Sequence, residues 1–398
     1  MILAIFTTIL YSPFWVICCM DMRKYESAEK RRQGLEEILH TKFPNIGKFS
    51  LDEKTASSKS CENMIGVAQI PLGVAGPVKI SGNYIKGDFY IPLATTEGAL
   101  VASVNRGCKA ISFTNGAQVS VHRVGVTRGP VFYTGSIKKS SELYEWTKNN
   151  REKIADSAEK TSNHLKFKKV EVRTQGSYAF MRFYFDSQDA MGMNMATIAT
   201  DKIAELIEEE VGVKCISVAG NFDIDKKPAW INFINNRGFK VWAEVIVSKQ
   251  TVKSVLKTTP EGIFEVWLAK CMLGSAMSGS LGFNAHYANI VAAFFAATGQ
   301  DIAHTVEGSM GITTAKVLKN GDLYFSVYLP AVMLGTVGGG TNLATQKEAI
   351  SITGAKKSAE LAEVLGGAVL AGELSLLSSL EEGSLAKAHQ KLGREELI

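Results

Sequence analysis

Between residues 130 and 218 the order of strand-forming and helix-forming segments limits the fold more than any other feature of the chain. Residues 132–133 read as a strand, 142–158 as a polar helix, and 170–173 and 178–185 as strands. Residues 201–210 then read as an amphipathic helix and 214–218 as a strand. Strand, helix, two strands, helix, strand is the order of a split βαβ sandwich, the ferredoxin-like arrangement. A compact unit of this kind is expected as an insertion, 129–218, in a larger domain built from 62–128 and 219–380.

The flanking segments have a different character. Residues 264–277 and 286–298 are apolar, alanine-rich helices, expected to form the buried spine of the large domain. Residues 240–247 and 324–329 read as strands, and 63–77 as short extended pieces joined by Gly and Pro turns. A strand at 90–93 leads to a helix that Thr95 or Thr96 can cap, with Glu97 in its first turn. Residues 355–385 are helical, with a break expected at Gly366-Gly367. The class is α+β: a large mixed α/β domain around a buried helical spine, carrying the inserted ferredoxin-like unit. A chain of 398 residues, 46% hydrophobic, can bury a core of that size.

Before residue 62, residues 25–39 read as a charged amphipathic helix and 43–60 as a polar loop, giving a helical N-terminal region at 23–61. Residues 1–20 carry no charged side chain and are followed closely by Arg23-Lys24, the signature of a single membrane anchor with a cytoplasmic body. Thr7, Thr8, Ser12 and Pro13 weaken a spanning helix there, and the alternative is upstream sequence preceding a start at Met20 or Met22. Both readings leave the main body cytoplasmic. The 44 basic and 39 acidic residues are mixed in sign, with no arginine-rich arm, so no nucleic-acid partner is expected. The net charge of +5 suits a polyanionic cofactor. Six cysteines form neither a CxxC pair nor a disulfide-like framework, which implies a reducing compartment and no structural metal.

The chemistry gathers on a loop at 217–233. Gly220-Asn221 breaks the preceding strand and Pro228 forbids a regular element, leaving Asp223, Asp225, Lys226 and Lys227 on an irregular segment anchored by the apolar run 229–233. A lysine beside a carboxylate stays protonated and can hold an oxyanion, although such a run can also be a solvated turn. Asp301, in Gly299-Gln300-Asp301, lies where an apolar helix meets a loop, where carboxylates tend to be paired; Lys226 is the partner type. Two glycine-rich stretches, 189–194 and 335–341, could present backbone N–H groups to phosphates, but neither is a GxGxxG or Walker A sequence, which excludes a conventional Rossmann domain. His389 lies on a terminal segment, 381–398, able to fold over a site.

Glu97 in Ala-Thr-Thr-Glu-Gly, Lys226 in Asp-Lys-Lys-Pro, Asp301 in Gly-Gln-Asp, the Asp-Ala-Met-Gly-Met-Asn box and Gly-Thr-Val-Gly-Gly-Gly-Thr occur in one order. Together, from about Glu62 to His389, they resemble class I 3-hydroxy-3-methylglutaryl-CoA (HMG-CoA) reductase, of archaeal type. The resemblance implies reduction of (S)-HMG-CoA to (R)-mevalonate and CoA with two NADPH, the committed step of the mevalonate route to isoprenoids. It implies Lys226 as oxyanion holder, Glu97 as a proton donor made neutral by burial, Asp301 bridging the two, and His389 as acid for the CoA thiolate. It places Arg128, Asp225, Lys227 and Asn289 about the substrate, and Ser103, Asn105 and Arg106 near CoA. Asp189, Ala190, Met191, Gly192, Met193 and Asn194, with Gly338, Gly339, Gly340 and Thr341, are implied NADPH contacts, making 129–218 the nucleotide-binding domain. Self-association as a dimer or tetramer, with active sites between subunits, is implied as well. The sequence departs from animal and fungal enzymes at Ala219, where they carry serine, at Phe222-Asp223-Ile224, and at Glu395 in place of a regulatory serine. A non-catalytic CoA-binding paralogue and an NAD-dependent enzyme that degrades mevalonate oxidatively are the competing readings.

Overall fold

The computed structural model describes residues 24–383. The expectations for the apolar segment at 1–20, for His389 and for Glu395 lie outside the described residues. Contacts divide the described residues into a unit of residues 24–71 with 343–345, and a unit comprising the rest. The first contains the helix Ala28–Leu39, capped by the Ser27 side chain, and the helix Glu53–Lys59, capped by Asp52. The second of these falls in a stretch expected to be loop; Asp52 accepting from Thr55 N and the acidic first turn are sufficient to start it. Ala28, Ala56 and Met64 form its small core.

Among the described residues the larger unit carries ten strands: β1 (Leu72–Ser81), β2 (Lys86–Ala94), β3 (Ala117–Arg128), β4 (Val131–Tyr133), β5 (Lys166–Gln175), β6 (Tyr178–Asp186), β7 (Lys214–Ser217), β8 (Arg237–Val247), β9 (Ile312–Val317) and β10 (Leu323–Val332). One sheet runs β2-β1-β3-β8-β10-β9, antiparallel except for the short β1/β3 pairing. The other runs β7-β4-β6-β5, antiparallel throughout, in the strand order of a split βαβ unit. Strand β3 belongs to both. Residues 118–125 pair with β8, then a register shift at Gly125 (φ +116°) turns the strand so that Val126, Thr127 and Arg128 pair with β6. Each sheet has its own apolar core. The polar helix expected across 142–158 is two, Ile137–Asn149 and Arg151–Glu159, divided at Asn150.

Four helices position the site: α1 (Leu100–Ser112), α2 (Met193–Val211), α3 (Tyr287–Thr298) and α4 (Ser358–Glu382). The spine of the large domain is α4 with α3, not the segment 264–277. In that segment Leu273 is 57% and Met277 90% exposed, and residues 267–274 form a π-helical stretch. Helix α4 also runs unbroken through Gly366-Gly367 for 25 residues. A Cβ at Gly366 would lie 2.7 Å from Val241 Cγ1, and one at Gly367 2.8 Å from Ile80 Cδ1. The glycines let the helix press onto β8 and β1, and that packing outweighs their poor helix propensity. Helix α4 is long and apolar enough to cross a bilayer, but 94% of its apolar window is buried inside the protein. Helix α1 approaches α4 just as closely, for a Cβ at Gly107 would sit 1.9 Å from the Ala371 carbonyl oxygen.

Candidate active site

The loop after β7 leaves its four charged side chains in distinct environments. Asp223 turns inward, 1% exposed, with Arg128 Nη1 3.4 Å from Oδ2 and its backbone carbonyl accepting from Thr127 Oγ1 at 3.1 Å. Burial pushes its carboxyl up, against the pull of Arg237 and Arg128. Asp225 is also raised by burial, but Arg237, His304 and Lys226 outweigh this and hold it below the usual carboxylate value. Lys226 takes a left-handed backbone (φ 57°), and its Nζ lies 2.8 Å from Asp301 Oδ2. Lys227 Nζ donates to the Asp225 carbonyl at 3.2 Å. Asp301 follows the C-cap Gly299 of α3 and caps the short helix Ile302–His304 through Oδ1. Partial burial raises its carboxyl, and the Lys226 hydrogen bond, the Ala303 N–H and the nearby cations together bring it below the ordinary value.

Glu97 does not lie in the first turn of a helix. Ala99 adopts φ 69°, and α1 starts only at Leu100. The backbone N–H of Glu97 donates to Thr95 Oγ1 at 3.0 Å, and its Oε1 accepts from Asn289 Nδ2 on α3 at 3.2 Å. Its carboxylate is exposed and forms no ion pair with Lys226, so within one chain the expected burial and the Asp301 bridge between Glu97 and Lys226 are both missing. An open cleft of about 890 Å³ runs from Pro228 past Asn289 and His286 to Ser309.

Sequence reasoning missed the groups beneath Lys226. Arg237, His304 and Glu307 are each fully buried. Arg237 Nη2 lies 2.9 Å from Asp225 Oδ1, Nη1 binds Glu307 Oε1, and Nε donates to Thr127 Oγ1 at 2.8 Å. Glu307 Oε1 also accepts from His304 Nδ1 at 2.7 Å. The readable signal was the i,i+3 spacing of His304 and Glu307 directly after Asp301, which puts both on one side of a helical turn.

Ser103, Asn105 and Arg106 lie on α1. Ser103 Oγ is 3.0 Å from Ser375 Oγ, and Arg106 donates to Ser375 Oγ at 3.1 Å, to the Ser375 carbonyl at 2.6 Å and to Ser379. Arg106 Nη1 further lies 3.5 Å from Glu382. These contacts fasten α1 to α4. Asn105 Oδ1 accepts from Gly76 N at 3.0 Å.

The two glycine-rich stretches meet. Thr336 and Val337 donate backbone N–H groups to the Asp189 carbonyl at 2.8 and 3.3 Å, and a Cβ at Gly335 would lie 2.5 Å from Met191 N. Asp189 Oδ1 takes the N–H and hydroxyl of Ser358, the first residue of α4, each at 2.9 Å. Gly192 (φ 91°) leads into α2 with no side-chain cap, so no side chain satisfies the first-turn N–H groups there. Gly338 and Gly339 have positive φ with open space about them, while Gly340 packs on Gly299 and Thr341 Oγ1 donates to the Gly338 carbonyl at 2.6 Å. Buried Gln300 clamps the loop, donating to the Gly335 carbonyl at 3.0 Å and accepting from Gly335 N at 2.8 Å. One residue on is Asp301, so the glycine loop and the Lys226 pair share one anchor.

The family model for hydroxymethylglutaryl-coenzyme A reductase matches residues 27–394. The chain belongs to this family. Among similar proteins are the 3-hydroxy-3-methylglutaryl-coenzyme A reductases of Methanothermobacter thermautotrophicus, 50% identical across 93% of this chain and 94% of the relative, and of Methanocaldococcus jannaschii, 51% identical across 92% and 93%. The class II reductase of Streptococcus pneumoniae, solved bound to NADPH, superposes with a TM-score of 0.68 over 90% of this chain and 98% of its own. At 17% identity that likeness concerns the fold, and it bears out the α+β class. As a member of the hydroxymethylglutaryl-coenzyme A reductase family, the protein is an oxidoreductase.

Proposed function

We propose that this reductase converts HMG-CoA to mevalonate and CoA, and that Lys226, charged by its 2.8 Å contact with Asp301, is the group on which the reaction turns. Bound NADPH supplies hydride, once for each of two reductions. The residues present fit such a dinucleotide: the uncapped start of α2 at Gly192 and the open Gly338-Gly339 turn both offer backbone N–H groups to a pyrophosphate. In the first reduction the thioester oxygen becomes an oxyanion, which the Lys226 ammonium stabilises. Collapse of the resulting hemithioacetal expels CoA thiolate, for which His389 is the acid by its match to the family motif. In the second reduction the aldehyde oxygen accepts a proton from Glu97, oriented by Asn289. Over both steps two protons and two hydrides are consumed.

Arg128, Asp225 and Lys227 are assigned to the hydroxymethylglutaryl end, and Ser103, Asn105 and Arg106 to CoA. Asp189 through Asn194, with Gly338 through Thr341, are assigned to NADPH, and 129–218 to the nucleotide-binding domain. We assign the active site to a boundary between subunits of a dimer or tetramer. In one chain Glu97 is exposed, and Ile302 (54% exposed) and Val306 (40%) leave apolar surface beside Asp301. Lys226→Ala is expected to lower kcat by about a thousandfold or more, with CoA affinity nearly unchanged. Retained turnover would refute the role of the lysine. NADPH should be consumed faster than NADH; equal rates would refute the cofactor assignment, and no consumption of either would favour a CoA-binding protein.

A further inference from the structure

Three fully buried side chains unused by that mechanism converge beneath the Lys226–Asp301 pair. Glu307 Oε1 accepts from His304 Nδ1 at 2.7 Å and from Arg237 Nη1, and the Lys226 backbone N–H faces the same oxygen across 3.4 Å. His304 Nε2 is buried without a hydrogen-bond partner and lies 3.8 Å from Asp301 Oδ2, the oxygen that holds the lysine. The charged groups facing the imidazole are Asp301 and Glu307 from its own segment and Asp225 from the loop, 3.8 Å from Nδ1. Arg237 reaches in from β8 between Asp225 and Glu307, and Lys226 stands beyond Asp301. Asp225, His304 and Glu307 lie close enough together to ligate a cation, but the Arg237 guanidinium already supplies positive charge to both carboxylates.

We propose that His304 is a positioning residue for the reduction, orienting Asp301 and, with it, the Lys226 ammonium. The inference rests on the role given above to Lys226. An ionised carboxylate only accepts hydrogen bonds, so Nδ1 carries its hydrogen toward Glu307 and the ring plane is fixed. Nε2 is then the atom that meets Asp301. With a hydrogen on Nε2, the imidazole shares with Lys226 the charge of Asp301. Without it, a lone pair faces a carboxylate oxygen and the lysine is the main cation left beside Asp301. The proton on His304 thus sets how firmly Asp301 holds the ammonium that receives the oxyanion. Glu307 serves both halves: the oxygen that fixes the ring also faces the N–H of Lys226, whose left-handed backbone is one a lysine seldom adopts.

The test compares His304→Phe, which keeps the ring and removes both nitrogens, with His304→Gln, which keeps a polar amide that does not titrate; Lys226→Ala runs alongside. For His304→Phe, kcat is expected to fall about tenfold to a hundredfold with each KM within about twofold, because positioning rather than binding is lost. The acidic limb of its kcat–pH profile should shift. His304→Gln is expected to recover part of the rate while its acidic limb stays displaced. A wild-type rate and profile in both variants overturns the proposal. So does a lowered kcat with an unmoved profile and no recovery in His304→Gln, which is what a merely structural residue would give. If His304→Phe fails to fold, as judged by circular dichroism, the profile of His304→Gln decides: a displaced limb supports the proposal and an unmoved one overturns it. An active Lys226→Ala would remove the functional reading itself; an inactive one beside wild-type His304 variants removes the present inference alone.

Discussion

Arg237→Met isolates the electrostatics beneath the site. Methionine keeps much of the side-chain volume and removes the charge. Glu307, fully buried, and Asp225, 21% exposed, are then left without their shared guanidinium. Removing one member of a buried ion pair costs about 3–5 kcal/mol. Asp225 keeps Arg128 at 3.6 Å and is partly solvated, so the loss should fall at the lower end, about 3 kcal/mol near neutral pH. The pH dependence follows from the direction of the Asp225 shift. Burial raises its carboxyl, but Arg237 is the largest of the cations that bring it below the ordinary value. A carboxyl lowered by folding contributes stability above its unfolded value, about 3.9, and loses that contribution as pH falls through the lower folded value. Without Arg237 the burial remains and its main opponent is gone, so the folded value rises and proton uptake favours the folded state. The destabilisation should therefore be largest near pH about 8 and smaller near pH about 5. Denaturant midpoints followed by tryptophan fluorescence at both pH values measure it. A variant within about 1 kcal/mol of wild type at both, or a gap that widens in acid, would refute the reasoning.

Two further substitutions test the anchors of the site. Gly107→Ala gains about 1 kcal/mol of helix propensity but drives a Cβ into the Ala371 carbonyl, and overpacking against backbone costs about 3 kcal/mol, so the denaturation midpoint should fall; an unchanged or higher midpoint would show that α1 and α4 can part freely. Gln300→Leu leaves the N–H and C=O of Gly335 buried and unpaired, a loss of about 1–3 kcal/mol, and should raise KM for NADPH more than KM for HMG-CoA. Equal changes in both constants would refute the assignment of the glycine loop to NADPH.

Most of what could be read from the sequence was local, the Lys226–Asp301 pair being the exception. Strand periodicity and turn residues are written within a few positions, which is why the split βαβ order is legible in the sequence. Gly366-Gly367 misled for the opposite reason. Paired glycines signal a break wherever propensity decides, yet here the decisive term is close approach to Val241 and Ile80, residues more than a hundred positions away. The left-handed Ala99, which delays α1 until after Glu97, has no mark in the sequence, because alanine rarely adopts that backbone. The buried hub was hidden because Thr127, Asp225, Arg237 and Glu307 come from four separate segments, and an arginine in a strand has no periodic signature.

The bend in β3 explains why these segments converge. Because Gly125 turns the strand from one sheet into the other, Thr127 and Arg128 leave the large sheet pointing at the place where the chain returns from the small one. There Gly220 N donates to the Gly129 carbonyl at 2.6 Å, and a Cβ at Gly129 would strike Asp223 N at 2.6 Å. The Lys226 loop is therefore laced to the strand through which the chain enters the small sheet, with Asp223 on Arg128 as the inner tie. Asp223, tied to that strand, lies three residues before Lys226 in the same loop. The small sheet and the Lys226 loop are in this sense joined through the backbone path as well as through the Asp223–Arg128 side chains.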